Sequence, residues 1–196
     1  MPRPTNYNDL INKHFDGFHE TGVNGFFRVV TNSLNHQNNL ADNKANIMIS
    51  INTVFITLVI GSSVKNMFDW SEFLLPIMLL LITSLVATVF AILTTRPNFK
   101  RGNVDQDYID KKSSTFLFFG NFSSVTRQDF EDTMLTILKD EEYLYRCILA
   151  DFYGQGRVLE RKYRLLTYSY NTFLVGIVLS VIMFSIIKIS GLFLVR

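Results

Sequence analysis

Residues 73–93 read FLLPIMLLLITSLVATVFAIL, an apolar run without a single charged side chain. A helix of about 20 largely apolar residues is long enough to cross the hydrocarbon core of a bilayer. Pro76 is compatible with this assignment because proline is tolerated in the first turn of a helix. A soluble helix normally has a polar face, whereas this run offers only small Ser and Thr side chains. The stretch therefore predicts a membrane-spanning helix.

The same length criterion predicts two further spans, at residues 45–64 and 172–189. The whole chain of 196 residues is 48% apolar, with a mean hydropathy of +0.19, which is high for a soluble protein. Its formal net charge of +2 is too small to indicate binding to a nucleic acid polymer. Because Cys147 is the only cysteine, the chain can form neither an intrachain disulfide nor a cysteine-based metal cluster.

Basic residues are distributed unequally around these spans. Arg96, Lys100 and Arg101 directly follow the second span, whereas the link between the first two spans offers Lys65 alone. Loops rich in Lys and Arg stay on the cytoplasmic side. We therefore predict that residues 1–44, an N-terminal arm, and residues 96–170 are cytoplasmic. The 45–95 segment then forms a membrane hairpin, and the 171–196 segment crosses the membrane and ends outside.

The cytoplasmic segments also carry helical patterns. Apolar residues recur at helical spacing between Phe26 and Ala41, so the arm is predicted to run as a helix into the first span. Thr126, followed by Asp129 three residues later, indicates a helix N-cap. An approximate helical period then continues to the third span, with Gly154 and Gly156 as weak points. The predicted fold is an all-α membrane protein with three transmembrane helices and a mainly helical cytoplasmic head, formed by the arm and the 96–170 region.

A polar stretch, ADNKANIMISIN at residues 41–52, stands at the entrance to the first span. It places the charges of Asp42 and Lys44 at the cytoplasmic edge of the membrane. A helix would carry one polar face made of Asn46, Ser50, Thr53 and Thr57. Such a face favours close packing between membrane helices, and a polar pore lining is the alternative interpretation.

The sequence contains no common catalytic or metal-binding motif. It has no HExxH, GxSxG, Walker A or GxGxxG pattern, and His14 and His19 are not spaced as paired metal ligands. The acidic run at residues 140–142 is typical of a helix start, which the helix dipole favours. We therefore expect no catalytic residue, no metal and no cofactor, and we predict that the chain is not an enzyme.

Three motifs in sequence carry a resemblance: LADNKANIMISIN at residues 40–52, FFGNF at 118–122, and KDEEYLYRCILADFYGQGRVLERKYRLL at 139–166. With them the chain resembles the transmembrane effector family of Pycsar, a bacterial antiphage system. The resemblance implies that phage infection activates a cyclase and that cUMP or cCMP then binds the cytoplasmic part of the effector. It further implies that the effector impairs the inner membrane before the phage matures. Because one chain has three spans, a large lesion would need a homo-oligomer.

The implied ligand suggests roles for particular side chains. Its phosphodiester anion favours the cations Arg146, Arg157 and Arg161. Its pyrimidine ring would stack on Phe119, Phe122 or Tyr143. Amides that could read the base edge are Asn121 and Gln155. We also predict that Asp42, Lys44 and Asn46 couple the head to the first span by having different partners in the resting and active states.

Two other functions are compatible with the same residues. One is a constitutive membrane scaffold or accessory subunit whose head binds a protein partner. The other is an effector of the same design that responds to a cyclic oligonucleotide. Nucleotide binding by the purified protein, and the size of the ligand bound, distinguish these possibilities.

Overall fold

The computed structural model describes residues 20–64, 70–97 and 125–194, which form four helices and no strand. Helix α1 comprises Glu20–Val64, α2 Trp70–Thr95, α3 Arg127–Lys139 and α4 Glu141–Leu194. Among these described residues, α1, α2 and α4 are long and apolar enough to cross a membrane. The predicted fold class, an all-α membrane protein with three spans, is thereby confirmed.

Helices α1 and α4 are much longer than a bilayer requires. They contain 45 and 54 residues, which at 1.5 Å per residue gives lengths of about 68 and 81 Å. The hydrocarbon core of a bilayer is only about 30 Å thick. Both helices therefore extend far beyond any membrane that they cross. The predicted continuity between the N-terminal arm and the first span is confirmed, because α1 is unbroken from Glu20 onward.

Side-chain contacts define the directions of the three long helices. Phe27 stacks on Tyr145 and Phe55 packs against Phe173, so residue numbers increase together along α1 and α4. These two helices are parallel. Between α2 and α4 the order is reversed, because Phe73 contacts Phe184 whereas Phe90 contacts Tyr168. Helix α2 is therefore antiparallel to both of its long neighbours.

The core between the long helices is built largely from small residues. On α1 the packed face consists of Ala41, Ala45, Met48 and Asn52, which are all fully or almost fully buried. Ala45 and Met48 form one cluster with Ala91 of α2 and Leu166 of α4. The hydroxyl of Ser169 on α4 donates a hydrogen bond of 2.7 Å to the carbonyl of Ala87 on α2. Small side chains allow helix backbones to approach closely in a membrane, where such hydrogen bonds add to the packing.

Helices α2 and α4 approach each other closely at Gly176. A Cβ atom placed on Gly176 would lie 2.5 Å from Cβ and 2.9 Å from Cγ2 of Thr83. No side chain fits there unless one helix moves. The small residues that the sequence shows in the second and third spans therefore pack against each other within the chain.

Replacing Gly176 by alanine is expected to destabilise the protein by about 1–3 kcal/mol, the usual cost of overpacking a core. Thermal unfolding in detergent measures this loss. Gly61→Ala is the matched control, since nothing lies within 4 Å of a Cβ at that position, and it is expected to stabilise α1 by up to about 1 kcal/mol. Adding Thr83→Gly to the Gly176 variant should restore the fit between the helices. A Gly176→Ala protein as stable as the wild type would contradict the close approach.

Helix α3 folds back on the first turns of α4. The hydroxyl of Thr126 accepts a hydrogen bond from the backbone N–H of Asp129 and donates one to its carboxylate, which confirms the predicted N-cap. At Asp140 the backbone is extended, and its carboxylate accepts a hydrogen bond of 3.1 Å from the N–H of Tyr143. The predicted helix start at residues 140–142 is thus confirmed. Helix α4 passes through Gly154 without interruption.

One prediction for this region is wrong in detail. The apolar period predicted from Thr126 to the third span does not belong to one continuous surface, because the chain breaks at Asp140. Leu135 and Leu138, which belong to that period, are 53% and 62% exposed. The residues that α3 buries are Thr133 and Ile137 instead. A break in the helix resets the angular position of every later residue, and the spacing of leucines alone does not reveal it.

Candidate functional site

An ion pair joins α1 to α4 at the level where α2 ends. The ammonium of Lys162 donates hydrogen bonds of 2.8 and 2.9 Å to the two carboxylate oxygens of Asp42. The pair lies one turn beyond the cluster that contains Ala45 and Leu166. Its side chains are only 17% (Lys162) and 34% (Asp42) exposed. Such partial burial reduces the screening of this pair by solvent.

Tyr163, the next residue on α4, is held by α1 from two sides. Its hydroxyl donates a hydrogen bond of 2.9 Å to the side-chain oxygen of Gln37. The ammonium of Lys44 lies 5.9 Å from the centre of its ring, within the range of a cation–π interaction. We call the five residues Gln37, Asp42, Lys44, Lys162 and Tyr163 the junction cluster. Its polar contacts join residues 37–44 of α1 to residues 162–163 of α4, which are distant in sequence.

A cavity of about 410 Å³ opens beside the junction cluster, between the end of α2 and α4. Its volume is within the range of small-molecule sites. Helix α2 and the residues after it contribute Leu93, Thr94, Arg96 and Pro97, and α4 contributes Val158, Arg161, Lys162 and Leu165. Among the described residues, three cations and no carboxylate line the cavity. The lining is thus suited to an anion that also carries an uncharged or apolar part.

Within the described residues, the cations of the cavity differ in how they are compensated. Lys162 is paired with Asp42. Arg96 and Arg161 form no ion pair with a carboxylate in residues 20–64, 70–97 or 125–194. Guanidinium groups of this kind can bind a phosphate through paired N–H donors.

The structure does not bring the predicted ligand cations together. Arg161 lines the cavity. Arg146 instead binds Glu142 one turn away at 2.6 Å, and Arg157 binds Glu160 at 2.8 Å. Arg146 and Arg161 are on the same helix, about 22 Å apart along its axis at 1.5 Å per residue. One mononucleotide cannot contact both.

The other predicted ligand residues are also dispersed. The amide nitrogen of Gln155 donates a hydrogen bond of 2.6 Å to Asp151 on its own helix. Tyr143 is 1% exposed, so its ring presents no free face for stacking in this conformation. Phe119, Asn121 and Phe122 lie outside the described residues. A stacking platform for a pyrimidine therefore stays a prediction.

The predicted coupling residues are in different environments. Asp42 and Lys44 do not pair with each other, since their partners are Lys162 and Tyr163 on α4. Asn46 is exposed, and the polar face that begins with it does not pack against the other helices. The hydroxyls of this face donate to carbonyls of their own helix: Ser50 to Asn46, Thr53 to Ile49, and Thr57 to Thr53. This face is left for another chain, for a pore or for lipid.

Sequence reasoning missed Arg96 and Lys162 as site residues. Arg96 was interpreted only as a basic residue that sets the orientation of the spans, and Lys162 was not chosen among the cations of the 139–166 motif. The signal for Lys162 was the need of Asp42 for a counter-ion at the membrane edge. Helix α4 has several cations that could be this counter-ion. The register between α1 and α4 decides which one pairs with Asp42, and the sequence of either helix alone does not determine this register.

The α3–α4 hairpin contains a second buried cluster, formed by Ile137, Tyr143 and Cys147. Burial raises the pKa of the Cys147 thiol above its ordinary value, because the surroundings disfavour the thiolate. This cysteine therefore has the properties of a small core residue. Across the part of the chain that the structure describes, no group of His, Cys, Asp or Glu could hold a metal ion.

Residues 26–188 match the family model of PycTM, the Pycsar effector protein domain. This match covers more than four fifths of the chain. The chain belongs to the Pycsar transmembrane effector family. The effector therefore acts in antiphage defence, and its family is not known as a family of enzymes. No curated protein and no solved structure shows significant similarity to the effector.

Proposed function

We propose that the effector binds a cyclic pyrimidine mononucleotide, cUMP or cCMP, on its cytoplasmic side and then impairs the inner membrane of the infected bacterium. The cell would die or stop growing before the phage matures. The observation that carries this proposal is the family match over residues 26–188, combined with a cavity at the junction of the head and the spans whose described lining has three cations and no carboxylate. A nucleotide bound there would contact α2 and α4 next to the junction cluster, which connects α4 to α1.

The orientation that we propose places this cavity in the cytoplasm. Arg96, Arg161 and Arg164 all lie on one side of the spans, which the positive-inside rule assigns to the cytoplasm. The opposite end of the bundle has Lys188, whose ammonium lies 4.9 Å from the centre of the Phe73 ring. Among the described residues at that end, Lys188 is the only lysine or arginine, which agrees with an outer position for the C-terminus.

We further propose that membrane damage requires several copies of the effector. Among the described residues, the three long helices of one chain pack around a core of small residues. The exposed polar face of α1 supports an association between chains, since polar membrane faces pack against one another or line water.

Thermal unfolding of the full chain in detergent tests the ligand. The panel contains cUMP, cCMP, cAMP, cGMP and a cyclic dinucleotide. A ligand at about a hundred times its Kd stabilises the native state by roughly 2.7 kcal/mol, which raises the Tm measurably. We expect a shift with one cyclic pyrimidine mononucleotide only. A shift with the cyclic dinucleotide alone would indicate a different signal, and no shift in folded protein would favour the scaffold function.

A further inference from the structure

The cavity beside the junction cluster has an unbalanced charge. Arg96, Arg161 and Lys162 line it, and the only carboxylate that compensates any of them within the described residues is Asp42. Cations held close together repel one another, and an anion placed between them removes this repulsion. Because Arg96 follows α2 while the other two cations belong to α4, an anion would be held from two helices at once.

The rest of the lining limits the kind of anion. Leu93, Pro97, Val158 and Leu165 supply apolar surface. The hydroxyl of Thr94 donates to the carbonyl of Phe90 on its own helix and is therefore not a free donor. The ligand that fits this surface carries its charge at one point and an uncharged body next to it. A phosphodiester has this chemistry, since it has one negative charge and two organic substituents.

Lys162 connects the cavity to α1. Its ammonium lines the cavity and also donates to both carboxylate oxygens of Asp42. An anion in the cavity would attract this ammonium and repel the Asp42 carboxylate. Occupation of the cavity, which α2 and α4 form, would therefore weaken a contact of α1. By thermodynamic linkage, loss of the Asp42–Lys162 contact must in turn strengthen anion binding.

We propose that a phosphodiester anion binds between Arg96, Arg161 and Lys162, and that it competes with Asp42 for Lys162, thereby releasing α1 from α4. One molecule that carries a phosphodiester is the cyclic nucleotide of the proposed function. Only for this ligand does the inference rest on the proposed function. An anionic phospholipid such as phosphatidylglycerol carries the same group in its headgroup. The chemistry of the cavity is common to both.

The test uses the full chain in dodecyl maltoside, a detergent without phosphate. Binding of cUMP and cCMP is measured by titration calorimetry, and binding of phosphatidylglycerol or phosphatidylcholine by native mass spectrometry. Arg161→Gln and Arg96→Gln should weaken binding by about tenfold each, the factor that corresponds to about 1.4 kcal/mol. Asp42→Asn should strengthen it by a similar factor. The matched controls Arg164→Gln and Asp132→Asn, both exposed and outside the cavity, should leave binding unchanged.

The arginine variants are expected to bind the anion more weakly and Asp42→Asn more tightly. These opposite changes in affinity distinguish competition from a structural role, because loss of fold would weaken binding in every variant. This pattern with cUMP or cCMP identifies a free nucleotide as the ligand. The same pattern with phosphatidylglycerol alone identifies a lipid headgroup. If a nucleotide binds but neither arginine variant changes its affinity, the inference is wrong while the proposed function stands. If no phosphodiester binds to the folded protein, both the inference and nucleotide binding in the proposed function are wrong.

Discussion

Replacing Lys44 by alanine is expected to abolish the toxicity of the activated effector without unfolding it. In the structure Lys44 is exposed, and its contact within the described residues is a cation–π interaction with Tyr163, which contributes about 0.5–1 kcal/mol at an exposed site. The resting fold therefore loses little. If Lys44 takes a charged partner in the active state, the loss of that contact lowers the active population about tenfold for each 1.4 kcal/mol. Survival and membrane potential of phage-infected cells measure the effect.

Two further variants make this result interpretable. Lys44→Arg keeps the charge and the cation–π contact, so it is expected to keep the toxicity. Lys139→Ala removes an exposed cation from the end of α3, away from the junction cluster, and should behave as wild type. All variants are compared at equal amounts in the membrane fraction. Full toxicity of the Lys44→Ala effector would refute a coupling role for this residue.

The architecture was predictable because membrane spans depend on length and composition. An uncharged run such as residues 73–93 needs a bilayer or an entirely buried position, and the helical period of the arm leads directly into the first span. The N-cap at Thr126 was also readable, since a hydroxyl three residues before a carboxylate satisfies the first free N–H groups of a helix. These signals are local, so a single sequence contains them in full.

The packing of the helices could not be predicted in the same way. Within a membrane the face that packs against another helix and the face that meets lipid are both largely apolar, so hydrophobicity does not distinguish them. On α1 the sequence drew attention to the polar face at Ser50 and Thr53, whereas the buried face begins at Ala41 and Ala45. Both faces have helical spacing. Only the close approach of a neighbouring helix distinguishes them, as Gly176 and Thr83 demonstrate for α2 and α4.

The candidate site was predictable in part. Arg161 was chosen as an anion ligand and does line the cavity. Arg146 follows Glu142 by four residues and Arg157 precedes Glu160 by three, spacings at which side chains on a helix pair locally. Because each of these two arginines has a local carboxylate partner, neither is a strong candidate for binding an anionic ligand. The pairing of Asp42 with Lys162 depends on the register of two parallel helices, which local patterns do not determine.

Replacing Tyr143 by alanine is expected to detach α3 from α4, at a cost of about 3–5 kcal/mol, the range measured for removing a large buried aromatic side chain. Tyr143 is among the largest fully buried side chains and packs with Ile137 and Cys147. Hydrogen exchange of α3 and thermal unfolding of the full chain measure the loss. Tyr153→Ala is the matched control, since that ring is 73% exposed on the same helix, and it should change stability by less than about 0.5 kcal/mol.

The hydroxyl of Tyr143 allows a finer test of the same core. It is buried without a hydrogen-bond partner among the described residues, and an unsatisfied buried hydroxyl costs roughly 1–3 kcal/mol. Tyr143→Phe keeps the ring and removes this group, so it should leave the hairpin intact and raise the Tm. A Tyr143→Phe protein that loses stability would mean that the hydroxyl has a partner. A Tyr143→Ala protein with α3 still protected would mean that the ring is free for another role, such as stacking on a ligand.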